Sequence, residues 1–354
     1  MPPGTDVDIA VVGAGIVGCL VARTMAARAP ERSVMVLDRD AVGSGASRRS
    51  AGLHLPRGAT PRVRRMAGYS QDFYHRLALA APTLPIHQIR MSVLAPRESA
   101  PRLHEAYLDS ARLTRTDAVP GGDVQLPAGM AAWTGDGCQY ADVHALCQAL
   151  ARELRPRVAV REGVAVEAVD PADGHVVLRL GTGETLTAGR VVLAPGPWLA
   201  GKAWHHLVAP LGVRVKKVVA LHVERPAAAG DRVVVFHDED AFLLPLPERG
   251  HWLYSYTCPQ WDVDPDAPAD GLTPGNLHEA RECLRRYAPA LLEHCTSGRV
   301  FCDAYSRTGE PLVRPLDDAG RVVFAGAANG SGYRLAPAIA SEAADLLHLP
   351  RSQP

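Results

Sequence analysis

Gly13, Gly15 and Gly18 stand in G-x-G-x-x-G spacing within Gly13-Ala14-Gly15-Ile16-Val17-Gly18, directly after the branched apolar run of residues 8–12. That context gives each glycine a task. Gly13 permits a tight turn, Gly15 lets backbone approach a pyrophosphate, and Gly18 lets a helix pack on the preceding strand. The helix that opens here offers free N–H groups and a positive dipole end to phosphates. Asp38, with Arg39 beside it, closes the next apolar run at the distance where a carboxylate accepts hydrogen bonds from ribose hydroxyls and disfavours a 2′-phosphate. The chemistry implied is dinucleotide binding, and these residues by themselves do not separate a nicotinamide from a flavin.

The elements that must position them follow from periodicity. A β-turn-α-β order covers residues 8–37, with the helix over 16–29. Residues 46–65 are basic, glycine-punctuated and without period, a functional loop that enters a helix over 64–79. A strand is expected over 86–94, then loops around one helix to residue 137, then a helix over 142–154 capped by Asp142. Strands follow over 158–160, 164–169, 176–180 and 191–193, and strand-like runs over 213–256. A helix over 277–286, a strand over 322–325, and a helix over 337–347 with Pro337 near its first turn complete the reading.

Composition limits the function. The 354 residues include 38 Lys plus Arg against 38 Asp plus Glu, so no net field draws the chain to nucleic acid or an anionic membrane, and a small molecule is the expected partner. The seven cysteines are scattered without metal or dithiol spacing, which predicts no metal site and reduced thiols in a cytoplasmic protein. Neither a signal peptide nor a run long and apolar enough to span a membrane is expected. Oligomeric state is open.

Three segments carry a family resemblance. Gly43-Ser44-Gly45-Ala46-Ser47-Arg48-Arg49-Ser50-Ala51-Gly52-Leu53 resembles the flavin-contacting segment of the D-amino-acid oxidase, glycine oxidase and sarcosine oxidase family. Val191-Val192-Leu193-Ala194-Pro195-Gly196-Pro197-Trp198 is similar to that family's strand and turn beside the flavin, and Val166 falls where a valine meets the adenine. Residues 323–337, with Gly326, Asn329, Gly330, Ser331, Gly332, Tyr333, Arg334 and Leu335, resemble its last strand, glycine loop and closing helix. The resemblance implies an α/β protein with a Rossmann-type FAD-binding domain (1–85, 138–210 and 300–354) and an antiparallel-sheet substrate domain (86–137 and 211–299). It also implies noncovalent FAD, oxidation of a C–N bond in an amino acid or N-substituted amino acid, and reoxidation by O2 to give peroxide. A dehydrogenase using another acceptor and a hydroxy-acid oxidoreductase are the rivals, with a purely structural flavin fold as a third.

Within it, Arg334 occupies the place of a basic residue that holds the substrate carboxylate, a task suited to a guanidinium fork. Arg57 and Arg49 are further basic candidates, Lys217 lies on a strand similar to one that crosses beside the flavin, and His54 follows the flavin segment. Tyr256 and Tyr305 are candidates to hydrogen-bond substrate. Two departures stand out: Asp303 falls where many relatives carry a carboxylate-clamping arginine, with Arg307 the alternative register, and residues 251–256 lack the lysine that assists oxygen chemistry in sarcosine oxidases. Cys302 lies one position from a flavin-linking cysteine.

Overall fold

The computed structural model describes residues 5–120, 123–266 and 271–350. In chain order they form β1 (Val7–Val12), α1 (Ile16–Arg28), β2 (Val34–Leu37), α2 (Ala46–Arg49), β3 (Leu53–His54), α3 (Pro61–Ala80), β4 (Ile86–Pro96), α4 (Ala100–Ala106), β5 (Thr114–Thr116), β6 (Met130–Ala141), α5 (Val143–Leu154), β7 (Val158–Arg161), β8 (Val166–Pro171), β9 (Val176–Leu180) and β10 (Thr185–Leu193). There follow α6 (His205–Val208), β11 (Arg214–Val223), β12 (Val233–Phe236), β13 (Ala241–Leu246), β14 (His251–Tyr256), α7 (Pro274–Tyr287), β15 (Cys295–Tyr305), β16 (Leu312–Pro315), β17 (Val322–Gly326) and α8 (Gly332–Leu346).

An eight-stranded sheet has the order β16-β17-β10-β1-β2-β7, with β9 paired to β10 and β8 to β9. Its neighbours from β17 to β7 are parallel. Such strands are covered on both faces, so they read as continuous apolar runs. Ile9, Val11, Val34 and Val36 pack on one side against α1, α3, α5 and α8, while Val12, Leu37 and Leu193 join the core on the other. The nine-stranded second sheet runs β15-β11-β14-β13-β12-β4-β6-β3, with β5 on β6. Its pairings are antiparallel except β12 with β4. Val219, Tyr254 and Tyr256 pack outward against α7, whereas Val218, Ala220 and Phe301 belong to a separate core on the opposite face.

The long strand β6 replaces the loops expected before residue 137. Gly135 and Gly137 interrupt its apolar pattern: a Cβ at Gly135 would lie 2.7 Å from Met91 Cε, and Gly137 takes φ +78° where the register with β4 shifts. Strands β6 and β15 also run across the expected boundaries at 137/138 and 299/300, and β3 pairs with β6 in the second sheet.

Helix α8 begins five residues before Pro337, which therefore sits inside it and not in its first turn. The missing Pro337 N–H leaves the Tyr333 carbonyl without its helical donor. Tyr74 on α3 supplies the replacement, its hydroxyl donating to Tyr333 O at 2.7 Å. Tyr74→Phe is therefore expected to cost about 1–3 kcal/mol, the penalty of a buried unsatisfied carbonyl. The urea midpoint should fall, and adding Pro337→Ala, which restores the N–H, should recover much of the loss. Equal midpoints for Tyr74→Phe and the unaltered protein would refute this.

Candidate active site

Strand β1 lies between β10 and β2, so the strand order reverses at its carboxyl end and opens a crevice there. Gly13 makes the turn out of β1 with φ +102°, and a Cβ on it would lie 2.3 Å from the Ala194 carbonyl oxygen at the end of β10. A Cβ on Gly18 would lie 1.8 Å from Gly13 O, which explains why α1 can sit so close to the turn. Gly15 caps α1 without a side chain, and no acid occupies the first turn, so the helix end is open to an anion. Ser47 Oγ accepts the Ile16 N–H at 3.0 Å and ties α2 to that end. Asp38 accepts from Ala14 N–H at 2.6 Å and Asp40 N–H at 2.9 Å. Burial nevertheless raises its carboxyl above the ordinary range.

A cavity of about 1600 Å³ starts at this crevice and runs between the two sheets. That exceeds the roughly 300–1,000 Å³ of a drug-sized site, so it has room for a dinucleotide and a second small molecule. Gly13, Gly15, Ile16, Val17, Asp38, Arg39, Gly45, Ala46, Ser47, Ser50, Ala51, Gly52 and Leu53 line it, and so do Val166, Ala194, Gly196 and Trp198. Gly326, Asn329, Gly330, Ser331, Gly332, Tyr333, Arg334 and Leu335 form its far wall. Close packing demands glycine along this path: a Cβ on Gly52 would strike Ala141 O at 2.1 Å, and one on Gly45 would press on the Trp198 ring at 3.0 Å. Asn329, at φ +53°, locks the glycine loop by donating to Ala327 O at 2.9 Å and accepting from Ser306 N–H at 3.0 Å.

Ala14 and Gly18 support the turn without lining the cavity. Arg49 also lies outside the lining: its guanidinium donates to Val300 O at 3.2 Å and its own carbonyl accepts from Arg299, so it fastens the α2 loop to β15. Near the far wall, Arg334 donates to Arg57 O at 3.1 Å and Ser331 Oγ at 2.7 Å. No acid lies within ion-pair distance of it among the described residues. Burial, then the neighbouring Arg57 cation, pull its pKa down to about 9. Arg57 faces Asp240 with an N–O separation of 3.7 Å.

Three expected side chains are turned elsewhere. Lys217 pairs with Cys302 across β11 and β15, whereas Phe301 and Tyr305, the alternate positions, line the cavity. Period-2 alternation therefore sends Lys217 and Cys302 to the reverse face, and burial lifts the Cys302 thiol to about 11. Tyr256 borders the cavity, but its hydroxyl is engaged on α7, its one proton shared between Asn276 O at 3.0 Å and Glu279 Oε2 at 2.8 Å. His54 is fully buried, and neither ring nitrogen has a hydrogen-bond partner among the described residues. Burial, then the Arg334 charge, push its pKa to about 3, so it stands neutral outside the cavity lining. Tyr305 does line the cavity, and its hydroxyl lies 2.9 Å from where a Cβ on Gly330 would be.

Sequence reading missed the segment after β14. Asp262, Val263, Asp264, Pro265 and Asp266 cross the cofactor end of the cavity. Asp266 accepts there from Arg39 and from Trp198 Nε1, each at 2.6 Å. The three alternating acids were a visible signal, but nothing local in the sequence says which loop they meet.

A Gly-rich turn at a switch point, a ribose-placed carboxylate and a bare backbone path define a dinucleotide-dependent enzyme of the doubly wound class. Residues 8–346 match the family described as FAD dependent oxidoreductase (DAO), and the chain belongs to it. Its cofactor is FAD. Among curated proteins it is 27% identical over 275 residues to 4-methylaminobutanoate oxidase (formaldehyde-forming) of Paenarthrobacter nicotinovorans, covering 71% of this chain and 32% of that one. The chain thus spans about a third of the length of that relative. Among solved structures it superposes on glycine oxidase from Bacillus cereus with TM-score 0.77 at 16% identity, covering 97% of this chain and 95% of that one. L-proline dehydrogenase from P. horikoshii gives 0.78 at 17% identity, covering 97% and 93%. Among the described residues no helix is long and apolar enough to cross a membrane.

Proposed function

We propose that this enzyme oxidises the C–N bond of an amino acid or N-substituted amino acid to an imine that water hydrolyses. The observation that carries the reading is Arg334, a cavity-lining guanidinium without an acidic partner among the described residues, placed beside the glycine loop. A desolvated cation is unfavourable until an anion reaches it, so the site selects a carboxylate. FAD supplies the hydride acceptor. Gly13, Gly15 to Val17, Asp38 and the cavity-lining residues of the 45–53 loop would hold it, without a bond to Cys302. The Asn329 and Ser331 N–H groups donate to Ala304 O and Ala328 O, so those of Gly330 and Gly332 would be the loop donors facing negative charge on the ring edge. Arg334 pins the carboxylate, with Arg57 beside it, and Tyr305 closes the wall, so positioning carries most of the rate. The first sheet and its helices form the FAD unit, and the second sheet forms the substrate unit.

Oxygen is the proposed acceptor. A dehydrogenase is the second reading, favoured by Lys217 facing away from the cavity and by the absence of a lysine on β14. Peroxide release under air separates the two. The seven thiols, none in a disulfide, suit a reducing compartment such as the cytoplasm.

Anaerobic mixing with primary, N-methyl and cyclic amino acids and with 4-methylaminobutanoate tests the reaction class. One of these should bleach the visible flavin band, and their hydroxy-acid analogues should not. Bleaching by hydroxy acids alone would overturn the assignment to a C–N bond.

A further inference from the structure

The cavity wall also carries an unpaired acid. Asp303 lies on β15 between Phe301 and Tyr305, and all three line the cavity. Its register partner on β11 is Lys216, but that ammonium is drawn over rings, 4.7 Å from the Trp261 centroid and 5.6 Å from that of Tyr305. No hydrogen bond or ion pair to the Asp303 carboxylate occurs among the described residues. Its charge is felt by Tyr305 toward the cavity and by Cys302 behind the strand, Lys216 is its register partner, and burial alone shifts its own carboxyl. A half-buried carboxylate with no partner of its own is unfavourable until a cation meets it. Arg334 and Arg57 line the same cavity, and Tyr305, two residues along β15 from Asp303, reaches the glycine loop that leads to Arg334, so an acid and two cations border one space.

We propose that Asp303 receives the protonated nitrogen of the substrate and accepts its proton. This rests on the amino-acid reading above. In the step the carboxylate and the ammonium become a carboxylic acid and a neutral amine, with no change in electron count, and only the neutral amine leaves a lone pair to assist loss of the adjacent hydride. Loss of water around Asp303 raises its pKa to about 7, closer to that of an amine than an ordinary carboxyl is.

Two carboxylates that differ only in charge probe binding apart from turnover: trimethylglycine and its carbon isostere 3,3-dimethylbutanoate, titrated calorimetrically into the FAD-loaded protein. A raised carboxyl is neutral below its pKa and charged above it. Preference for the cation should therefore rise with pH through about 7, to about tenfold at pH 8. In Asp303→Asn, a near-isosteric change that keeps the fold, the two ligands should bind alike at every pH. The kcat/KM profile should lose its acid limb near neutrality and follow the amine's own ionisation instead. Equal affinities in the unaltered protein, or binding of the isostere alone, would remove Asp303 from the substrate nitrogen. An unchanged kcat/KM profile in Asp303→Asn would remove it as proton acceptor. Failure of both ligands, together with no bleaching by any amine, would fall on the amino-acid reading itself.

Discussion

Replacing Arg334 by leucine should raise the dissociation constant for carboxylate ligands about 30- to 1,000-fold, a loss of roughly 2–4 kcal/mol, while FAD remains bound. The size follows from the surroundings. Arg334 spends hydrogen bonds on Arg57 O and Ser331 Oγ, which fix the plane of its guanidinium, and it keeps no acid of its own. An arriving carboxylate thus meets a desolvated, oriented cation, where an ion pair is far stronger than at a wetted surface. Lysine at this position should fall between arginine and leucine, because an ammonium restores the charge but not the paired geometry. Thermal shift gives a reading independent of turnover: carboxylates should raise the melting temperature of the unaltered protein and leave Arg334→Leu nearly unmoved. Ligands without a carboxylate should bind both proteins alike. If leucine leaves carboxylate affinity within about threefold, below roughly 1 kcal/mol, the anion is held elsewhere, and Arg57 becomes the residue to replace.

What could be read from the sequence is what local chemistry determines. The turn at Gly13, the opening of α1 and the place of Asp38 depend on residues within one β-α-β unit. Asp142 announces α5 as a cap whose carboxylate accepts Ala145 N–H at 3.0 Å. Orientation within the second sheet was not readable. Lys216 and Lys217 are neighbours, and a one-residue change of register exchanges their faces, so only the pairing with β15 shows that Lys217 is turned away. Pro337 misled for a similar reason, since the hydroxyl that makes it tolerable inside α8 comes from Tyr74, 259 positions from its acceptor. Asp240, which pairs with Arg57, and the 262–266 segment over the cofactor end were likewise set by contacts far apart in the chain. The loops expected from the family resemblance come together on one cavity, and Tyr305 lines it, whereas strand alternation turns Lys217 away.

Gly13→Ala should weaken FAD binding severely, and the reason can be separated from mere loss of a glycine. Gly13 and Gly174 both adopt positive φ, +102° and +78°, so alanine strains the backbone at either position. At Gly174 no atom lies within 4 Å of the added Cβ, and the expected cost is about 1–2 kcal/mol with FAD affinity intact. At Gly13 the Cβ would lie 2.3 Å from Ala194 O, a backbone atom at the end of the neighbouring parallel strand. Only movement of the turn away from β10 relieves that contact. Such movement shifts the start of α1, the Ala14 N–H that orients Asp38 and the Ser47 contact to Ile16. Diphosphate and ribose contacts would therefore fail together, and affinity for FAD should drop by more than about a hundredfold, roughly 3 kcal/mol or more. Fluorescence of released flavin reads the affinity, and urea unfolding of the FAD-free proteins reads the strain. If Gly13→Ala purifies yellow and holds FAD as tightly as Gly174→Ala, the cofactor does not lie on the Gly13 turn.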